Sequence, residues 1–325
     1  MKYLSKIKII AYLCAVTILI SACGKKEIPL SYGTLESNDS YSIRTNETQT
    51  QIGLFAADLC ATAVDITDSS SAVTEGLNAA CIYDINDEKV LYSYHANERL
   101  NPASLTKIMT ALLVLENCNM EDVVTIGDVT IYEDGVQLFG FRTGDRITVE
   151  ELLYAMLVYS ANDAALALAQ YVGGTTEDFA DMMNQRALDL GATNTHFVNP
   201  HGLSHEEHYT TAYDLYLIFN EVVKYDLFRQ IINTRSFTVE YTNAEGTYSS
   251  KEISTTNRFL SEIYESPSSV TVIGGKTGST MAAGKCFIMY AVDAAMNPYI
   301  CVIMGAGNEE QLYNIMRQLC DDVVP

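Results

Sequence analysis

Three short segments of the chain bring hydroxyls and amines together in patterns that could do chemistry. Ser104-Leu105-Thr106-Lys107 places a hydroxyl and an amine three residues apart at the start of an apolar, helix-forming stretch. At that spacing both side chains lie on one helix face, within reach of each other. A serine hydroxyl is a poor nucleophile until a base takes its proton, and a lysine can be that base when burial or nearby cations lower its pKa. The pattern alone is weak, because Ser5 and Lys8 repeat it near the N-terminus. Ser160-Ala161-Asn162 supplies a second hydroxyl and an amide, at a place where such residues also serve as plain helix caps. Lys276-Thr277-Gly278 follows the apolar run from Val270 to Ile273. On an edge strand, the lysine and threonine would face an anionic group while Gly278 lets a substrate backbone come close. A given tripeptide turns up at a random position roughly once in several thousand, so this third segment adds most of the weight.

The elements that must position these residues can be read from periodicity. Asn78 to Tyr83 and Val90 to Tyr94 flank a polar stretch and read as a hairpin. Leu105 to Leu115 reads as a helix entered through Pro102, and Val149 to Val172 as two helices broken near Tyr159 to Asn162. Phe179 to Leu190 and Thr211 to Tyr225 have helical spacing, and Phe237 to Tyr241 with Thr247 to Ile253 form a second hairpin. Val270 to Ile273, Phe287 to Asp293 and Tyr299 to Met304 return to strands, with Asn297-Pro298 as a turn, before a closing helix from Glu309 to Leu319. Strands at both ends around a helical middle predict an α/β fold. An antiparallel sheet built from both chain ends is flanked by helices and carries a helical subdomain.

Composition narrows the setting. The 325 residues are 48% hydrophobic, enough for an ample core, and carry a formal charge of −21. That sign argues against a nucleic-acid partner. Residues 1–22 hold Lys2, Lys6 and Lys8, then an apolar run from Ile9 to Ile20, then Ser21 and Ala22, which is the layout of a signal peptide. The run is about 12 residues, short of the roughly 20 that span a bilayer. Ile20-Ser21-Ala22-Cys23 resembles a bacterial lipobox, which makes Cys23 the expected lipidation site and membrane anchor. Loss of three lysines and no acid then takes the exported chain to −24. Residues 23–51 are rich in Ser, Thr, Asn and Asp and read as a flexible linker, leaving 52–325 as the catalytic domain.

Six cysteines remain in that domain, none spaced as C-x-x-C, and their apolar contexts mark them as small core residues although export permits disulfides. His201, His205 and His208 are clustered, but His205-Glu206-Glu207-His208 misses the H-E-x-x-H spacing by one residue, so no metal is expected. His201 reads as part of a turn.

The three segments, in the order S-x-x-K, S-x-N, K-T-G, are the set found in penicillin-binding proteins and class A β-lactamases. The chain resembles the low-molecular-mass penicillin-binding proteins that are serine-type D-alanyl-D-alanine carboxypeptidases, peptidase family S11. The likeness extends to Asn101 through Lys107, Ser160-Ala161-Asn162-Asp163-Ala164-Ala165, Asn199-Pro200-His201-Gly202-Leu203, Thr210 through Leu215, and Ala283-Gly284 after the K-T-G segment. It implies a β-lactamase/penicillin-binding-protein transpeptidase-like fold and no cofactor. The implied substrate is a peptidoglycan stem pentapeptide, and the implied covalent inhibitors are β-lactam antibiotics. It also implies roles. Ser104 would attack the carbonyl of the penultimate D-Ala, Lys107 would be its base, Ser160 would relay a proton to the leaving nitrogen, and Asn162 would hold the substrate amide or Lys107. Lys276 and Thr277 would bind the terminal carboxylate, with Gly278 beside them, and the backbone N–H groups of Ser104 and Ser279 would form the oxyanion hole.

Ala161 stands where many relatives carry Gly, and Ser279 where many carry a bulkier residue. The expected setting is the outer face of the cytoplasmic membrane, held there through Cys23. A class A β-lactamase would need an E-x-x-x-N carboxylate loop after the S-x-N segment, and none is found. A D,D-endopeptidase would use the same residues on a longer substrate. A non-catalytic muropeptide or penicillin sensor would have lost one of the three segments.

Overall fold

The computed structural model describes residues 59–60, 64–67, 75–133 and 135–325. The expectations for 1–22, for Cys23, for the linker 23–51 and for a domain start at 52 lie outside them. A five-stranded antiparallel sheet runs in the order β2 (Lys89–Tyr94), β1 (Ala79–Asp84), β9 (Pro298–Ala306), β8 (Gly284–Val292), β7 (Thr271–Thr280). Both chain ends of the described domain therefore meet in one sheet, with β7 at an edge. Period-2 alternation decides which side chain goes where. Cys81 and Tyr83 of β1, Ile288 of β8, and Ile300, Val302 and Met304 of β9 face the larger core. Ala80, Ile82, Phe287, Met289, Cys301 and Ile303 face the other side. There they pack against Leu312, Tyr313, Met316 and Leu319 of the closing helix α7 (Glu309–Val323). A sheet covered on both faces reads as continuous apolar runs, as β1 and β9 do.

The larger core is helical. Helix α1 (Lys107–Asn117) is buried from Lys107 to Val114, all round rather than along one stripe, so it forms the centre of the helical layer. Around it lie α2 (Val149–Leu157), α3 (Asn162–Gly173), α4 (Thr176–Asp189), α5 (Ala212–Val222) and the short α6 (Asp226–Ile232). Three of these start at side-chain caps, where Thr148, Thr175 and Thr211 accept from the backbone N–H three residues on. A second antiparallel sheet, β3 (Val123–Thr125), β4 (Arg146–Thr148), β5 (Ser236–Thr242), β6 (Tyr248–Ser254), sits beside the helices.

Most predicted elements appear within a few residues of their expected ends, with three differences. Ser104 lies in a 3-10 turn, Ala103–Thr106, that leads into α1, instead of in the helix itself. The K-T-G segment lies inside β7 and not after it; glycines at 274, 275 and 278 dilute the β signature of a strand that nonetheless pairs with β8 along its length. Pro298 starts β9, and the turn before it is closed by Asp293, whose carboxylate accepts from the N–H groups of Ala295 and Asn297. The strands β3 and β4 and helix α6 have no expectation to match. Among the described residues all six cysteines are free thiols, five buried and Cys118 half-buried. Cys301 and Cys320 bring their sulfurs to 3.7 Å across β9 and α7.

Candidate active site

Three elements converge on one cleft of about 660 Å3. The 3-10 turn brings Ser104, the break between α2 and α3 brings Ser160 and Asn162, and β7 brings Thr277, Gly278 and Ser279. The turn and the strand are in intimate contact. A Cβ added to Gly278 would lie 3.0 Å from the Pro102 carbonyl oxygen and 3.2 Å from the Ser104 nitrogen, so the small residue is what lets β7 lie against the turn. Ala103 at φ +48° and Ser160 at φ +64° both take left-handed backbone conformations that non-glycine residues rarely adopt. Each costs on the order of 1–3 kcal/mol and persists only where the surroundings impose it.

Lys107 is fully buried, and its Nζ donates to Ser104 Oγ at 2.8 Å, to Asn162 Oδ1 at 2.6 Å and to the His201 carbonyl at 2.6 Å. Burial pushes its pKa well below the ordinary lysine value, the charge of Lys276 pushes it the same way, and Asp163 opposes. Two of the three partners can only accept. When the amine is neutral, its two protons stay on Asn162 and His201, and its lone pair is left facing Ser104 Oγ. The geometry thus delivers a poised base to that hydroxyl.

Lys276 forms a second amine–hydroxyl pair. It is fully buried on β7, donates to Ser160 Oγ at 2.8 Å and to the Thr277 carbonyl at 2.8 Å, and is lowered by burial to about 7. Thr277 Oγ1 donates to Thr256 Oγ1 at 2.6 Å, and Ser279 Oγ accepts from Lys285 Nζ at 2.9 Å. Every predicted site residue within the described range therefore lines this cleft or, as with Lys107 and Lys276, lies directly beneath it.

Sequence reasoning missed the groups that hold these residues in place. Asp163 is buried and accepts from the backbone N–H groups of Phe139 at 2.9 Å, Gly140 at 2.7 Å and Phe141 at 3.1 Å. Through these bonds it ties down a loop whose Gln137 carbonyl accepts from Asn162 N at 2.9 Å. An acid in the first turn of a helix is ordinary in sequence, and its partners lie over twenty residues upstream, so no local signal marked it. Arg258 and Lys285 add two more cations to the cleft wall, Arg258 being paired with Glu309 at 3.3 Å. The segment 199–203 wraps the turn, with Asn199 Oδ1 accepting from Gly202 N at 2.7 Å and Thr110 Oγ1 donating to the Pro200 carbonyl at 2.6 Å. His201 takes part in that turn as expected, since its Nδ1 accepts from Leu203 N at 3.2 Å. Burial, and then the Lys107 charge, lower it to about 3. Among the described residues no three metal-ligating side chains converge.

This constellation can activate a serine, shuttle a proton through a second serine and offer a positive field to an anion. Residues 47–308 match the family model described as D-alanyl-D-alanine carboxypeptidase, peptidase S11. The D-alanyl-D-alanine carboxypeptidase DacF of Bacillus subtilis is 34% identical over 247 residues, covering 74% of this chain and 60% of that protein. DacC of Escherichia coli is 32% identical over 248 residues, covering 73% and 58%. The chain thus spans about three fifths of the length of these curated relatives. A solved mutant of the Streptomyces K15 DD-transpeptidase superposes with a TM-score of 0.69 at 28% identity, covering 76% of this chain and 96% of that one.

Proposed function

This chain belongs to the peptidase S11 family of D-alanyl-D-alanine carboxypeptidases, and from that premise we propose that it is a serine-type carboxypeptidase removing the terminal D-Ala from peptidoglycan stem pentapeptides through an acyl-enzyme on Ser104. The observation that carries the reading is the Lys107 amine, whose contacts with Asn162 and His201 leave its remaining valence facing Ser104 Oγ. Neutral Lys107 takes the Ser104 proton as Oγ attacks the penultimate D-Ala carbonyl. Oxyanion charge falls on the N–H groups of Ser104 and Ser279. The peptide C–N bond breaks as Ser160 gives its proton to the leaving nitrogen and recovers one from the Lys276 ammonium bonded to it. Water then attacks the ester, its proton returns to Lys276 by way of Ser160, and Lys107 returns its own to Ser104 Oγ.

Asn162 holds Lys107 through its carbonyl oxygen, which leaves its amide nitrogen to donate to the substrate. Because the Lys276 ammonium is committed to Ser160, the terminal carboxylate meets the Thr277 hydroxyl, whose proton turns from Thr256 to the ligand, within the positive field of Lys276, with Arg258 and Lys285 on the cleft wall. β-Lactams acylate the same Ser104. The decisive experiment is labelling with a fluorescent penicillin followed by product analysis on a pentapeptide ending in D-Ala-D-Ala. Labelling with release of free D-Ala, undiminished by a chelator, is the expected result. Ready cleavage of a cross-linked muropeptide dimer with no cleavage of the pentapeptide would make the protein an endopeptidase instead.

The same reading places the protein in the cell envelope, exported by residues 1–22 and held to the membrane by a lipid on Cys23, with 23–51 as the tether. Among the described residues no helix is long and apolar enough to cross a membrane. Cys23→Ser is expected to move the protein from the membrane fraction to the soluble fraction or to block its processing. Unchanged fractionation would place the anchor elsewhere.

A further inference from the structure

We propose that His208 is a positioning residue for the nucleophile, acting through Thr106 to hold the strained Ala103–Ser104 backbone in register. The proposal rests on the reading of Ser104 as the acylated residue. Ala103, immediately before Ser104, sits at φ +48°, a conformation that needs outside support. Its N–H donates to Asn101 Oδ1 at 3.0 Å, and its carbonyl accepts from Thr106 Oγ1 at 2.9 Å. A hydroxyl has a single proton, and Thr106 spends it on Ala103. The other neighbour of Thr106 Oγ1, His208 Nε2 at 2.8 Å, must therefore be the donor.

The far side of the ring gives the same answer independently. Val198 N–H donates to His208 Nδ1 at 3.1 Å, so Nδ1 carries no proton. Both ends of the imidazole thus assign the neutral Nε2–H tautomer from the hydrogen-bond network. A one-directional chain results, from Val198 N–H through the ring and the Thr106 hydroxyl to the Ala103 carbonyl. His208 is 1% exposed, and burial, with the charges of His196, His205 and Lys107, lowers it to about 3, which agrees with a permanently neutral ring.

The segment carrying this ring also closes on the nucleophile turn from the other side. A Cβ added to Gly202 would lie 1.8 Å from the Ala103 carbonyl oxygen and 2.8 Å from Thr106 Oγ1. The next carbonyl upstream, that of His201, accepts from Lys107. One segment, 198–208, therefore fixes both the backbone that presents Ser104 and the amine that activates it. His208 is its anchor.

The test measures penicillin acylation as two separate quantities, initial affinity and acylation rate. Thr106→Val removes the hydroxyl at nearly constant shape, and His208→Phe removes both ring nitrogens. Each is expected to leave initial affinity within about twofold and to slow acylation roughly 10- to 100-fold, the scale of one buried hydrogen bond whose partner is left unpaired. Thr106→Ser, which keeps the hydroxyl, should restore the rate. The double variant should be no slower than the worse single one, because both break one chain. Nitrogen-15 NMR of the unaltered protein at neutral pH should show His208 protonated on Nε2. If His208→Phe does not fold, Thr106→Val and the tautomer measurement carry the test. Acylation of Thr106→Val at the wild-type rate, or an Nδ1–H tautomer, overturns the proposal. A wild-type protein that penicillin does not acylate overturns the D,D-peptidase reading instead, a different result from acylation indifferent to Thr106.

Discussion

Ser104→Ala is expected to abolish covalent labelling by penicillin and release of D-Ala, while the protein still folds. No bond to the substrate carbonyl can form without Oγ, and loss of a nucleophile from a preorganised serine site costs on the order of 10⁶ in turnover. The structure explains why stability should survive. Lys107 loses one of three acceptors, keeps Asn162 and His201, and can turn its free valence to water admitted by the cleft. Loss of one hydrogen bond at the cleft is worth about 1 kcal/mol. Mass spectrometry of the intact protein after penicillin gives the readout directly, and a thermal melt gives the control. Other hydroxyls line the same cleft, among them Ser204, Ser160 on the α2–α3 break and Ser279 on β7. An adduct that persists in Ser104→Ala and maps to any of them would remove the assignment. Should Ser104→Ala unfold, peptide mapping of the penicillin adduct in the unaltered protein carries the same question, with the adduct expected on Ser104.

Why the sequence located Ser104, Lys107, Ser160, Asn162 and Lys276 but not their supports follows from the range of the interactions. The Ser104–Lys107 pair is three residues apart, so its geometry is written in the local chain. Ser160 and Asn162 sit where helical periodicity breaks, which is also visible locally. Asp163 could not be found this way, because its role is to accept from Phe139, Gly140 and Phe141, and a side chain gives no sign of which distant amides it will meet. In the sequence His208 belongs only to a cluster that misses a metal-binding spacing, because its partners Thr106 and Val198 lie 102 and 10 residues away.

The fold shows the same division. β1 and β9 announce themselves as apolar runs because the sheet is covered on both faces. β3 and β4 are three residues each, too short for alternation to register, and exist because β4 pairs with β3 and touches β5. Lys276 has a link that the sequence does not show: beside its expected place at a substrate carboxylate, its amine is fully buried and donates to Ser160 Oγ, and its charge acts on Lys107 through repulsion.

That repulsion gives the second large effect. Lys107→Arg is expected to slow acylation by on the order of 10²–10⁴-fold, the usual contribution of a general base, and no rise in pH should recover it. A guanidinium stays protonated throughout the accessible range, whereas the lysine amine needs only to lose one proton to become a base. In the wild type the sign is fixed by the direction of the shift. Below the lowered pKa of Lys107 the amine is charged and donates to Ser104; above it the lone pair faces the hydroxyl, so acylation rises with pH through that value and falls again as the Lys276 ammonium, which recharges Ser160, loses its proton at about 7. Lys276 lowers the Lys107 pKa by its charge. Lys276→Ala should then do two separable things. It lowers the maximum by removing the partner of Ser160, and it moves the rising limb to higher pH, because Lys107 drifts back toward its ordinary value once the neighbouring charge is gone. A merely structural loss at Lys276 would lower the maximum and leave the rising limb in place. Acylation rates of wild type, Lys107→Arg and Lys276→Ala across pH 5 to 10 decide it. A limb that stays put in Lys276→Ala, or Lys107→Arg acylating within tenfold of wild type, would assign the base to some other group.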